Sequence, residues 1–313
     1  MAELGHRALR QLIEDFGGCD EYFSEMISAA ALFGGGPYEK WYLDNGPCPQ
    51  KLVYQIVGND AGCLSRAAAL LDGMECAGID INMGCCAPLI RKAGGGIAWM
   101  KSAGTAGEMV KAVRRATKKR LSVKLRTGFS DDFGYLVTFC RRLEAEGVEM
   151  ITLHPRTAKE KLKGRAKWDY VGALRQEIGI PVAGNGDVNS PEDLIMRAKG
   201  PCDGVMVGRT AVRQPWIFAL GRGLEALPME AGDGLPVLPV PDIKGTGLRF
   251  LELLSVWQPE DFHVSRARRF FALFCDNLKW GTYLKNLLNR EQNLAGMEKA
   301  WCRHFETSEA GLE

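Results

Sequence analysis

The chain has 313 residues, 46% of them hydrophobic and 25% charged, and carries a net charge of +2. At roughly 150 residues per domain this allows about two soluble domains, and it excludes disordered, collagen-like and coiled-coil chains. The longest stretch without a charge, Met26 to Tyr38, is 13 residues, short of the roughly 18 a bilayer span needs.

Glu3, Arg7, Arg10, Glu14 and Asp15 interrupt any apolar leader, so the composition points to a cytosolic protein without a membrane segment. The ten cysteines form no CxxC pair. Neither zinc nor iron–sulfur spacing is present, and no metal is expected.

In chain order, short β-branched and apolar runs alternate with amphipathic segments. The runs Tyr22–Ile27, Leu52–Val57, Gly78–Asn82, Leu121–Arg126, Met150–His154, Ile180–Ala183 and Gly204–Val207 predict strands. Leu64–Cys76, Ala106–Thr117, Phe133–Glu146, Tyr170–Glu177 and Pro191–Ala198 predict the helices between them. Ser190 caps the last of these, with Pro191 in its first turn. Seven evenly spaced βα units are one short of an eight-stranded barrel, whereas doubly wound sheets usually stop at five or six. The expected architecture is therefore α/β: a (β/α)8 TIM barrel over residues 1–226, one strand short of closure. Residues 227–247, with four prolines and four glycines, read as a linker. The Leu-rich and aromatic spacing of residues 248–313 predicts a small helical domain.

Functional groups of such barrels project from the C-terminal ends of the strands. Those ends carry Gln55, Asn82-Met83-Gly84-Cys85, Lys124-Leu125-Arg126, His154-Pro155-Arg156, Gly184-Asn185-Gly186-Asp187 and Gly208-Arg209. Alternation in Leu121–Arg126 turns Lys124 and Arg126 inward. A buried ammonium needs an anion or a strong acceptor, which is either a ligand or the equally inward Asp80. The glycine-bearing turns at 184–187 and 208–209 are either phosphate cradles, with Arg209 as counter-charge, or ordinary turn geometry. Together with the inward Lys124 and Gln55, they suggest a phosphorylated cofactor such as a flavin mononucleotide. Cys85 follows a strand end and a glycine. A thiol of ordinary pKa is protonated at neutral pH and can act as a general acid, though buried cysteines also serve as inert packing. His154 could hydrogen-bond a cofactor carbonyl or phosphate, or close a core network.

Two cationic patches stand out in an otherwise balanced chain. From Arg156 to Lys167 there are six cations against Glu160 alone, and from His263 to Arg290 six, including Arg266, Arg268 and Arg269, against Asp276 alone. Arg156 is expected at the mouth, where it could meet a substrate phosphate. The alternative for both patches is a solvated face.

Taken in order, Gln55-Ile56-Val57-Gly58, Ile79–Cys85, Gly94-Gly95-Gly96, Lys124–Gly128, His154-Pro155-Arg156-Thr157, Gly184–Asp187 and Gly208-Arg209 resemble the tRNA-dihydrouridine synthase family over roughly residues 1–220. The resemblance implies a flavin-dependent TIM barrel with a C-terminal helical domain that reduces the C5=C6 bond of a tRNA uridine, with NADPH as electron source. It implies FMN contacts from Gln55, Lys124, His154, Asn185, Gly186, Asp187, Gly208 and Arg209. Cys85 would be the proton donor and Asn82 would help place the uracil. Arg156, Arg266, Arg268 and Arg269 would contact the RNA.

Two positions depart from the family pattern. Cys86 stands where the family has proline. Met1-Ala2 resembles the tail of a first-strand turn that lies against the flavin, so the resemblance implies a barrel lacking its first strand, and further residues ahead of Met1 are expected. A small-pyrimidine flavin oxidoreductase of the dihydroorotate dehydrogenase type, or a non-catalytic tRNA-binding protein, are the competing expectations.

Overall fold

The computed structural model describes residues 3–225 and 241–309. Met1, Ala2 and most of the expected linker at 227–247 lie outside the described residues. The chain divides into two compact units, one comprising residues 21–189 and 193–207, the other residues 1–20, 190–192 and 208–313.

The first unit is built on a parallel sheet of seven strands in strictly sequential order. They are β1 (Tyr22–Ser28), β2 (Leu52–Val57), β3 (Gly78–Met83), β4 (Arg120–Gly128), β5 (Met150–Thr157), β6 (Val182–Asn185) and β7 (Gly204–Met206). Parallel neighbours need crossover connections, and the helices Ala61–Asp72, Ala103–Arg115, Phe133–Ala145, Asp169–Glu177 and Pro191–Ala198 supply five of the six, while short helical turns join β1 to β2. This is the expected TIM-barrel-like βα topology. The central strands β2, β3 and β5 are buried on both faces. Ile79, Ile81, Leu121, Val123, Leu125, Ile151, Leu153 and Val182 are fully buried and alternate with the polar residues that make the site, as the two-residue period of a strand requires.

Most strand ends fall within one residue of expectation, but β4 and β5 run two and three residues further, to Gly128 and Thr157. β6 begins two residues later than predicted, after Pro181, which has no N–H for the ladder. It runs on through Gly184 and Asn185 to pair with Val205 and Met206. The helix expected from Leu64 starts at Ala61, because the Asp60 carboxylate accepts from Cys63 N at 2.7 Å and caps it.

The second unit is helical. Arg7–Asp15, whose Leu9, Leu12 and Ile13 are buried, packs on Ile243–Trp257. Helices Glu260–Phe274, Gly281–Leu288 and Leu294–Glu309 complete it. Its core is aromatic: Phe250 stacks on Phe270 at 3.7 Å between centroids, and Phe271 meets Trp301 at 4.9 Å. Trp301 is fully buried and donates to Lys244 O at 2.9 Å. Among the described residues no helix is long and apolar enough to cross a membrane.

Candidate active site

The ladder of the first unit stacks polar residues in three steps on one face. Gln55, Asp80 and Ser122 are register partners across β2, β3 and β4; Asn82, Lys124 and Thr152 follow across β3, β4 and β5, and Arg126 pairs with His154 one step further. Gln55 Nε2 donates to Asp80 Oδ2 at 2.8 Å, and Ser122 Oγ donates to Asp80 Oδ1 at 2.7 Å. Asn82 Nδ2 donates to Gln55 Oε1 at 3.0 Å. Lys124 Nζ does not bridge to Asp80 but donates to Asn185 Oδ1 at 3.0 Å, and Asn185 donates in turn to Met206 O at 2.7 Å. One hydrogen bond uses one of the three N–H groups of the ammonium. The Thr152 hydroxyl is fully buried and has no partner among the described residues.

Cys85 sits where β3 ends, on a loop fastened from both sides. Asn82 Oδ1 accepts from Cys85 N at 2.9 Å and from Gly84 N at 3.1 Å. Cys85 O accepts from Ile97 N at 3.1 Å. Gly96 allows that approach: its φ is +57°, and a Cβ there would lie 2.7 Å from Cys85 O. Arg126 Nε donates to Gly84 O at 3.1 Å and its Nη1 to Lys161 O at 2.7 Å, tying the loop to the one after β5. The Cys86 thiol turns back onto Gly84 O at 3.5 Å, and burial pushes its pKa up.

The turn after β6 is a compact support. Gly186 has φ +113°, and a Cβ there would lie 2.8 Å from His154 Cδ2. Trp168 Nε1 donates to Gly186 O at 2.9 Å. Asp187 does not present a free carboxylate. Arg156 Nη2 donates to both its oxygens at 2.8 Å, and Ala166 N donates to Oδ2 at 2.6 Å. The expected contact of Arg156 with a substrate phosphate is thereby corrected. Its guanidinium is buried and also donates to Gly164 O and Lys163 O. Alternation from Thr152 through His154 to Arg156 already turned it inward. The exposed cations of that loop are Lys159, Lys161, Lys163 and Arg165.

Burial and charge tune this face. Burial is the largest effect on Asp80 and raises its carboxyl to about 6, against the hydrogen bonds of Ser122 and Gln55 and the charge of Lys124. Burial likewise lowers Lys124 to about 8, with Asp80 opposing and Arg126 assisting. His154 is driven down to about 3 by burial and then by Lys124, Arg126 and Arg156. It is neutral at pH 7. Because Arg156 Nη1 can only donate to His154 Nε2, at 3.1 Å, the ring proton resides on Nδ1. The arrangement is a donor-rich pocket wall with one ammonium, suited to an electron-rich polar ligand, and a thiol at its rim.

In the helical unit, Gly208 precedes the short helix Arg209–Arg213, and Arg209 is exposed. Arg266 is not an RNA-facing residue as expected: it is buried, donates to Gln258 Oε1 and lies 4.6 Å over the Phe262 ring. The spacing Phe262, Arg266, Phe270 places it on the buried side of its helix, a signal that charge counting overlooked. Arg268 is half-buried and donates to Glu291 O at 2.9 Å, while Arg269 is exposed and pairs with Glu3. The inward Thr152, the Ile97 fastening and the Arg126 clamp were missed. Alternation with His154 could have flagged Thr152; the other two are tertiary contacts with no local signal. Among the described residues no group of three or more His, Cys, Asp or Glu could hold a metal ion.

A family model described as dihydrouridine synthase (Dus) matches residues 1–230. The chain is 28% identical over 295 residues to tRNA-dihydrouridine synthase B of Pseudomonas aeruginosa, covering 94% of this chain and 87% of that protein. It is 31% identical to tRNA-dihydrouridine synthase B of Vibrio cholerae over 92% of this chain and 88% of that one. A probable tRNA-dihydrouridine synthase of Aquifex aeolicus is 32% identical over 70% of this chain and 69% of its own length.

Proposed function

This chain belongs to the dihydrouridine synthase family, and we propose that it reduces the C5=C6 bond of a uridine in tRNA, with FMN as bound cofactor and NADPH as reductant. The observation that carries this reading is the Cys85 loop, hung from Asn82 at the end of β3 beside the half-buried Lys124. The residues fit a flavin nucleotide in three respects. Among the described residues Thr152 offers a buried hydroxyl without a partner, Lys124 carries a charge with a single hydrogen bond, and Gly186 leaves no room for a side chain beside His154.

When bound, the reduced flavin supplies the hydride for C6 of the uracil. Gln55, Lys124, His154, Asn185 and Gly186 would hold the cofactor by their polar atoms and close backbone approach. Asp187, whose carboxylate is committed to Arg156, would do so through its backbone. Gly208 and Arg209 would complete the phosphate side. The Lys124 ammonium favours the added negative charge of the reduced ring. Asn82 orients the base, and the Cys85 thiol delivers the proton that C5 requires. A uridine inside folded tRNA must leave its stack to reach this wall, at a cost of a few kcal/mol offset by stacking and phosphate contacts. The exposed Lys159, Lys161, Lys163 and Arg165, and Arg268 and Arg269 on the helix Glu260–Phe274, are the proposed phosphate contacts.

Incubating the flavin-loaded protein with NADPH and tRNA lacking dihydrouridine tests the reading. The expected result is a yellow protein, bleached by NADPH and recoloured by tRNA, with dihydrouridine appearing in the digest. A protein that is bleached but leaves every uridine intact would act on another substrate.

A further inference from the structure

Asp80 is fully buried at the bottom of the polar ladder, two residues before Asn82 on the same face of β3. Both its oxygens are engaged by donors, Gln55 Nε2 and Ser122 Oγ. A carboxylate is acceptor-only, whereas an amide can present either end. Because Asp80 takes Gln55 by its nitrogen, Gln55 must offer Oε1 to Asn82. Asn82 must then answer with Nδ2, which leaves its Oδ1 pointing at the N–H groups of Gly84 and Cys85. Every amide in the chain faces one way, and the direction is fixed from both ends: by the anion at the foot, and by the Gly84 and Cys85 N–H donors and the Met26 thioether at Asn82.

We propose that Asp80 is a positioning residue: as an acceptor-only carboxylate it sets the direction of the Gln55–Asn82 amide chain and thereby holds the backbone of Cys85 in place. A neutral group at position 80 removes the constraint at the foot, so that the reversed direction competes with the one the Gly84 and Cys85 N–H groups favour. In the reversed direction Asn82 presents its NH2 to two N–H groups, and the Cys85 loop loses its cap. The consequence for uridine reduction rests on the function proposed above; the consequence for the loop does not.

Two measurements test this. The first is residue-resolved amide hydrogen exchange on the full chain, wild type against Asp80→Asn. Protection at Gly84 and Cys85 falls at least about fivefold in the variant, while Ile79 and Ile81 of β3 stay within about twofold. Should Asp80→Asn not fold, the wild type provides the same comparison, since lowering the pH through about 6 neutralises Asp80. Its facing groups are Gln55 on β2 and Ser122, Lys124 and Arg120 on β4, and both cations remain charged across that range. Unchanged protection at Gly84 and Cys85, or an equal loss along the whole of β3, overturns the proposal. The second is single-turnover dihydrouridine formation by the pre-reduced protein: Asp80→Asn slows it about tenfold or more per bound flavin, the flavin content being read from its absorbance. A rate per bound flavin equal to that of the wild type contradicts a role exerted through Cys85. A wild type that makes no dihydrouridine refutes the functional reading instead, and the exchange result then decides on Asp80 alone.

Discussion

The behaviour of Lys124 follows from its surroundings. Alternation turns it inward, where burial lowers its pKa to about 8 despite the opposing charge of Asp80. Its neutral form is therefore favoured by folding, so protein stability rises as pH climbs from about 8 toward the unfolded value near 10.5, where the unfolded chain still holds the proton. Binding of an anionic cofactor that needs the ammonium has the opposite trend. FMN affinity of the cofactor-free protein is expected to fall by up to about tenfold per pH unit above about 8, measured by flavin fluorescence quenching. In Lys124→Met that dependence is expected to vanish together with most of the affinity. A wild-type affinity flat from pH 7 to 10 would show that Lys124 is not the counter-charge. The inward Lys124 was legible from a six-residue pattern. Arg156 and Arg266 were misread because a count of charges along the chain says nothing about which face of a strand or helix carries them.

At the scale of elements, the strands and crossover helices were legible because both periods, two and 3.6, are written in the apolar residues. The helix Arg7–Asp15 was not recognised, although Leu9, Leu12 and Ile13 carry its spacing. The starts of β6 and of Ala61–Asp72 were displaced by a proline and by a capping aspartate. What the pattern could not show is how the turn after β6 is pinned. Gly186 supplies the left-handed backbone, and the Arg156–Asp187 pair locks it to β5. Burial raises the Asp187 carboxyl, but Ala166 N and Arg156 outweigh it, so the group lies below its ordinary range. Its stabilisation is present at neutral pH and is lost as pH falls through the folded value. Arg156→Ala leaves a partly buried carboxylate unpaired and is expected to cost about 3 kcal/mol, read from urea unfolding at pH 7. The loss should shrink in acid, where the carboxylate is neutral. A variant as stable as the wild type would mean the pair is replaceable by solvent.

Across the whole molecule, contacts divide the chain differently from composition. The N-terminal helix and residues 208–225 belong with the C-terminal helices, whereas the Pro- and Gly-rich stretch suggested a boundary near residue 226. Composition registers a linker but not which surfaces pack together. The cationic patches are likewise thinner than their residue counts. Burial removes Arg156 and Arg266, and ion pairs with Asp131, Glu3 and Asp276 engage Lys167, Arg269 and Lys285. One sulfur at the end of β3, acting on a base delivered by tRNA, is the centre of the proposed reaction. The most direct measurement is the rate of dihydrouridine formation in single turnovers of the pre-reduced protein, comparing Cys85→Ala with Cys86→Ala. Loss of a general acid predicts a fall of about 100-fold or more in Cys85→Ala, with Cys86→Ala within about threefold of the wild type. Retained activity in Cys85→Ala and loss in Cys86→Ala would contradict the account.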